Sequence, residues 1–248
     1  MNVSWQWNLS RSVRRWVSLG LVLATCHGCA SVPNPDPRDP LESFNRGVFT
    51  FNEGLDQAVF KPVATVYRDV TPRLVRAGVG NFLGNLDDAW SSVNSMLQGK
   101  LRHAMGNFFR FGVNSTIGIF GVFDVASEMQ IQRHAEDFGQ TLGRWGVGSG
   151  AYLVLPLFGP STVRDAVALP VDSNGDLISH MDSIATRNGL RVLNVIDTRA
   201  GLLGVSSALD EVALDKYSFS RDAFLQRRRN AVYDGDPPEM DSVTDPVR

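Results

Sequence analysis

Apolar residues recur at helical spacing from Leu41 through Phe44, Val48, Phe51 and Leu55, three or four positions apart, which predicts a helix there. Pro62 stands where a first helical turn accepts proline, and Val63, Val66 and Tyr67 behind it predict a second helical piece. Pro72 closes that piece or opens the next. From Leu74 to Leu97, the residues Val75, Val79, Phe82, Leu83, Leu86, Trp90, Val93 and Leu97 fall on one broad stripe, predicting a long helix whose stripe packs against other helices. Gly78, Gly80 and Gly84 each weaken it by about 1 kcal/mol relative to alanine, so bends or close helix contacts are expected. Beyond His134, Phe138, Leu142 and Trp145 predict another helix, followed by a loop in the glycine-rich stretch Gly143 to Gly150. The apolar run Ala151 to Phe158 is interrupted by Pro156 and stopped by Gly159-Pro160, so it reads as an extended segment or turn and not as an interior strand. Ser161 is the expected cap of a short helix containing Val163, Val167 and Ala168. Further helices are expected at Ile178 to Ile184, Leu190 to Val195, Ala200 to Leu209 and Arg221 to Val232. The pattern is mainly α, without alternation of strand and helix.

One stretch departs from ordinary amphipathicity. Between Arg110 and Asp124 lie 13 uncharged residues, Phe111 to Phe123, among them Val113, Ile117, Ile119, Phe120 and Val122. As a helix the run would rise about 20 Å, against roughly 30 Å for a bilayer's hydrocarbon core. It is long enough to enter one leaflet and too short to span two. A buried core helix ending at Gly118 or Gly121 accounts for the same pattern, and Asn114, Ser115 and Thr116 favour that or a face turned to partners, since polar groups in lipid need satisfaction.

The amino terminus carries Arg11, Arg14 and Arg15, then the apolar run Trp16 to Ala24, then Cys26 and Cys29, the only two cysteines of the 248 residues. Basic residues before a short apolar run read as a secretory signal. A cysteine-free remainder argues against a disulfide framework. A lipoprotein signal explains both observations: cleavage leaves an acylated cysteine, Cys29 with small Gly28 before it, or alternatively Cys26. Residues 1–28 contain three arginines and no acid, so their removal takes the formal charge from -2 to -5 over the remaining 220 residues. That balance gives no electrostatic case for nucleic acid or for anionic lipid. The expected organisation is a signal peptide at 1–28, an acylated and proline-rich tether at 29–40, a helical domain at 41–232 and a polar, flexible tail at 233–248.

Candidate chemistry is sparse. The glycines of Gly143-Arg144-Trp145-Gly146-Val147-Gly148-Ser149-Gly150 follow no strand and precede no Walker lysine, and Ser149 lies in no nucleophile elbow. His103, His134 and His180 are far apart in sequence; His134 with Glu136 and Asp137 could form a metal-binding corner, but a polar helix cap is the stronger reading. Asp87 and Asp88 would diverge on a helix, a poor geometry for paired acid and base. Arg227, Arg228 and Arg229 would fan around the last helix as a solvated face, with phosphate binding the less favoured use. No catalytic residue, metal or cofactor is expected.

The residues also carry a family likeness. A cysteine and polar tether, then Asp39-Pro40-Leu41-Glu42-Ser43-Phe44-Asn45-Arg46 with Phe51-Asn52 and Asp56, resemble the MlaA family of outer-membrane lipoproteins, also called VacJ. The likeness continues at Lys61-Pro62-Val63-Ala64, at Asn81 to Leu86, at Arg110-Phe111 with Asn114 to Gly118, at Glu136 to Gly143, and from Tyr152 to Asp165. The resemblance implies a mainly helical, ring-like protein at the periplasmic face of the outer membrane, enclosing an amphipathic channel. It implies a non-enzymatic role, taking phospholipids mislocalised to the outer leaflet and passing them to a soluble periplasmic lipid carrier, in company with a trimeric porin. The alternatives are a non-transporting structural or adaptor lipoprotein and a phospholipase. Phe111, Val113, Ile117, Phe120 and Phe123 become membrane-contact candidates, and Phe44, Asn45, Arg46, Asn52 and Asp56 candidates for the channel or for ring integrity.

Overall fold

The computed structural model describes residues 36–239, so Cys26 and Cys29 lie outside the described residues. Helix α1 (Glu42–Leu55) runs without interruption through a π turn (Asp56–Phe60) into α2 (Lys61–Val70). Pro62 explains the wide turn. It offers no N–H to a carbonyl one turn back and its ring crowds that carbonyl, so the ladder widens and the Lys61 N–H donates to the Asp56 carbonyl, five residues back. Pro72 stays extended and opens α3 (Arg73–Leu97). A three-residue turn with Gly99 at φ +75° leads into α4 (Leu101–Thr116). The two helices form an antiparallel hairpin, bridged from Asn85 to Ser115 and from Ser92 to the Ala104 carbonyl.

After α4 come a tight loop, the short α5 (Val125–Glu128), an extended passage and α6 (Phe138–Arg144), capped by Asp137. The expected extended segment is a two-stranded hairpin, β1 (Tyr152–Leu155) antiparallel to β2 (Gly159–Thr162), with Tyr152 opposite Thr162 and Leu155 opposite Gly159. Thr162, not Ser161, caps α7 (Val163–Gly175) by accepting from the Asp165 N–H. The expected helix Ile178 to Ile184 does not form: a 3₁₀ turn (Leu177–His180) ends at Met181, and Ser183 caps α8 (Ile184–Gly201). Then follow α9 (Leu203–Val212) and α10 (Lys216–Val232).

The elements close into a ring. Helix α2 packs on α8, α8 on α3, α3 on α6 and α6 on α10, and α10 returns to α1 through Arg46 with Asp215 and Tyr217 with Asp39. Apolar cores are small: Ala64, Ala200 and Leu203 in one, Tyr152, Val154 and Tyr217 in another. The fully buried side chains are otherwise mostly polar, including Asn45, Asn85, Asn94, Asn107, Asp39, Asp88, Thr141 and Thr162. The stripe of α3 therefore differs from its expected use. Leu83 is buried, but Leu74, Val75, Val93 and Leu97 face outward, while Asn85, Asp88, Ser91, Ser92, Asn94 and Ser95 form the packed face.

Candidate functional site

The uncharged run does not make one helix. Phe111 to Thr116 end α4, Phe111 and Val113 half-buried, and Ile117 to Phe123 fold into a loop. The Phe120 N–H donates to Ser115, Gly121 to Asn114 and Phe123 to Gly118. Ile119 and Phe120 both sit at positive φ, 51° and 55°, followed by Gly121 at 89°. A β-branched residue rarely adopts that conformation, so the surroundings must impose it. A side chain at Gly118 would collide with the Phe123 carbonyl. The consequence is a loop presenting Ile117, Ile119, Phe120 and Phe123 outward, Phe120 at 76% exposure. The core-helix reading fails for these four positions.

Beneath the loop lies an ionic cluster. Arg110, 2% exposed, donates to both Asp124 oxygens at 2.8 and 2.9 Å, to Asp88 at 3.2 Å and to the Ile131 carbonyl at 2.5 Å, while Asp88 also accepts from Arg133 at 2.6 Å. Asn114 donates to Asp124 and accepts from the Ala126 N–H. Burial pushes the Asp124 pKa up, but hydrogen bonds from Ser127, Arg110 and Asn114 overcome this and hold it down at about 2. One turn pair earlier, Asn107 both donates to and accepts from the His134 backbone.

A cavity of about 640 Å³ lies between α1, the π turn, the hairpin, α8, α9 and α10. Phe49, Leu55, Phe60, Leu157, Phe158 and Leu202 make much of its wall. Its charges are paired: Asp56 with Arg199 at 2.6 and 2.7 Å, and Lys216 with Glu53 and Asp210 at 3.1 and 2.7 Å. A second cavity, about 1050 Å³, lies between α3, α6, α7 and the hairpin, and Phe158 borders both. The hairpin that divides them hangs on α1. Asn45 donates to the Tyr152 carbonyl and accepts from Val154 N–H; seven residues on, Asn52 donates to the Leu155 carbonyl and accepts from Leu157 N–H.

Of the residues singled out from sequence, Phe44 is exposed on α1 and Asn45 is buried against Asp39 and β1. Arg46 bridges Glu42, Asp215 and Ser218 and lies over the Tyr217 ring at 4.3 Å. Asn52 and Asp56 line the smaller cavity. The sequence reading missed Asp88, Arg110 and Asp124, although a charge set among Phe108, Phe109 and Phe111 is a signal that a partner must exist. Arg228 belongs to no solvated face: it is clamped by Asp137 and Asp165, which accept at 2.5 and 2.8 Å. His103 and His134, distant in sequence, stack at 3.7 Å, and donor atoms of His103, Glu136 and Asp234 lie within 4.8 Å of one another. The Lys100 ammonium bridges Glu136 and Asp234 there, a side-chain cation between the two carboxylates.

No described helix is long and apolar enough to cross a membrane. Residues 37–231 match the family model of the MlaA lipoprotein. The chain is 38% identical over 217 residues to the intermembrane phospholipid transport system lipoprotein MlaA of Escherichia coli, covering 85% of each chain. The Haemophilus influenzae protein of that name is 31% identical, covering 84% of this chain and 86% of its own. A solved chain from work on the structural basis for maintenance of bacterial outer membrane lipid asymmetry superposes with a TM-score of 0.70 at 36% identity, over 78% of this chain and 98% of its own. A match spanning the helical domain from the tether to the end of α10 leaves one conclusion: the chain belongs to the MlaA lipoprotein family.

Proposed function

We propose that the protein is a passive conduit for phospholipids at the periplasmic face of the outer membrane, taking mislocalised lipid from the outer leaflet and delivering it to a soluble periplasmic carrier. The observation that carries this reading is the inverted distribution of polarity. Apolar side chains stand on the outside of α2, α3, α4 and the Ile117 to Phe123 loop, while most fully buried side chains are polar and the two cavities combine apolar walls with charged groups. Exposed apolar surface on this scale marks a lipid or protein contact. A ring seated in one leaflet satisfies it, and an amphipathic interior offers a headgroup passage across. The porin is the proposed partner of part of that outer surface, and acylation at Cys29, or Cys26, the proposed anchor. One acyl chain binds a membrane marginally whereas several anchor it firmly, and the apolar belt adds a further attachment beside the acylated cysteine.

The mature protein, reconstituted with labelled phospholipid and the carrier, is expected to transfer intact lipid. Lysophospholipid without transfer would instead identify a phospholipase, and porin binding without lipid transfer an adaptor. Spin labels at Ile117, Ile119, Phe120 and Phe123 are expected to collide with lipid-soluble oxygen and to be shielded from an aqueous relaxation agent; the opposite accessibilities would place the loop in water. Intact mass spectrometry reads the anchor: a triacylated chain beginning at Cys29 is expected, and one beginning at Cys26 moves the site.

A further inference from the structure

The two cavities differ in charge compensation. In the smaller one the cations Lys61, Arg199 and Lys216 answer Glu53, Asp56 and Asp210. The larger is lined by five carboxylates, Asp87, Glu136, Asp137, Asp172 and Asp176, and by no basic side chain. Glu136 and Asp137 are neutralised from behind by Lys100 and Arg228. Among the described residues the other three have no ion-pair partner: Asp172 accepts from the Trp90 indole N–H and the Phe138 N–H, Asp176 from the Ile178 N–H, and Asp87 accepts no hydrogen bond. Trp90 is itself a wall of the cavity, fixed by its bond to Asp172 at 2.8 Å and by Gly175, where any side chain would strike the indole ring. Leu155, Pro156, Phe158, Leu169 and Pro170 add an apolar wall, and the polar Ser91, Gln140 and Ser173 also border the cavity.

A pocket with negative charge in excess, an indole and an apolar wall has the chemistry that accepts an organic ammonium attached to an apolar body. It repels an anion without a compensating cation. Asp87 is exposed where it opens on the cavity, and protein crowds the rest of its surroundings. That crowding first, and then the neighbouring Asp176 and Asp88, outweigh Arg133 and push its pKa up to about 6. Burial likewise raises Asp172, against the bonds from Trp90 and Phe138.

We propose that the larger cavity is the headgroup subsite of the conduit, with Asp87, Asp172, Asp176 and Trp90 receiving the ammonium of a zwitterionic phospholipid and discriminating against headgroups that carry no cation. The inference rests on the conduit reading and adds a substrate class to it. The source of the ammonium is the lipid headgroup, because the apolar wall continues to the hairpin tip at Phe158, which the smaller cavity shares.

The test is competitive binding to the mature protein in detergent, read by native mass spectrometry, with phosphatidylethanolamine and phosphatidylglycerol of identical acyl chains. A preference of roughly fivefold for the ethanolamine lipid is expected, the size of one modest ammonium contact. Asp87→Asn and Asp176→Asn should each reduce it, and the double variant should abolish it through weaker binding of the ethanolamine lipid, with binding of phosphatidylglycerol no weaker and the thermal midpoint retained. Equal binding of both lipids by the wild type, or a preference that survives in a folded double variant, overturns the subsite and leaves the conduit standing. Failure to bind either lipid overturns the conduit reading itself. Free ethanolamine competing as strongly as the whole lipid would make the cavity a small-amine site and overturn the lipid assignment.

Discussion

At Arg110 three segments meet: α4, which carries it, α3 through Asp88, and the loop after Phe123 through Asp124 and the Ile131 carbonyl. An ionic group this buried stabilises only while every partner is present. Arg110→Met should therefore cost about 3 kcal/mol, since it leaves Asp124 without a cation and Asp88 with Arg133 alone, and should lower the thermal midpoint measured by circular dichroism in detergent. Asp124 gives the cluster a pH signature. Its folded pKa of about 2 lies below the ordinary 3.8, so its contribution is complete above about pH 4 and is lost as pH falls from there toward 2. In Asp124→Asn that part of the acid destabilisation should disappear from melts taken across this interval. Sequence alone half-revealed the cluster. An arginine between phenylalanines announces a buried partner, but which of many aspartates answers it depends on the loop's path, and that path turns on the positive φ angles of Ile119 and Phe120, which no periodicity encodes.

Helix α1 and the hairpin show how an element is held without an apolar interface. Strand β1 has one strand neighbour, β2, and on its other side Asn45 and Asn52 supply to the strand and its turn the donors and acceptors that a third strand would. Removing an amide that satisfies buried backbone costs about 1–3 kcal/mol. Asn45→Ala should lie at the upper end because Asn45 is fully buried. Asn52→Ala should affect stability less and instead speed hydrogen exchange at the Leu157 amide, whose acceptor it removes; unchanged exchange there would mean the hairpin is positioned by its neighbours. The sequence shows the seven-residue spacing of these asparagines and again of Asn107 and Asn114. It does not show the hairpin, because Pro156, Gly159 and Pro160 read as breakers and the strands are only four residues long. The expected helix at Ile178 to Ile184 failed for a visible reason: Asp176 and Ser183 are both caps, which makes two short starts out of one apolar stretch.

Over the whole molecule, helical periodicity located most helices and left open which face of each was inside. A stripe such as that of α3 marks an interface with something apolar, and lipid and protein core satisfy it equally. What separates them is the opposite face: asparagines, serines and aspartates with fixed hydrogen-bond partners, which only the assembled ring supplies. Phe120→Asp should consequently leave the detergent-solubilised fold intact while weakening flotation of the protein with vesicles, because a carboxylate is costly only where the loop meets hydrocarbon. A comparable loss of thermal stability in detergent would assign Phe120 a packing role instead.

The segment before α1 is bolted down earlier than its prolines suggest. Arg221 of α10 reaches Asp36 at 3.1 Å and Asp39 at 3.5 Å, and Arg38 reaches Asp222 at 2.9 Å. With Cys29 acylated, the covalent leash from lipid to ring is therefore only the stretch from residue 29 to residue 36, at most about 25 Å even when fully drawn out. The α10 edge could then never stray further than that from the bilayer surface, whatever the rest of the ring did, so such a leash would fix which rim of the ring stays near the lipid. Inserting ten flexible residues after Ser31 loosens that constraint without touching the belt. Retained lipid transfer in such a variant would mean that the belt alone sets the posture of the ring; lost transfer would mean that the short leash sets it.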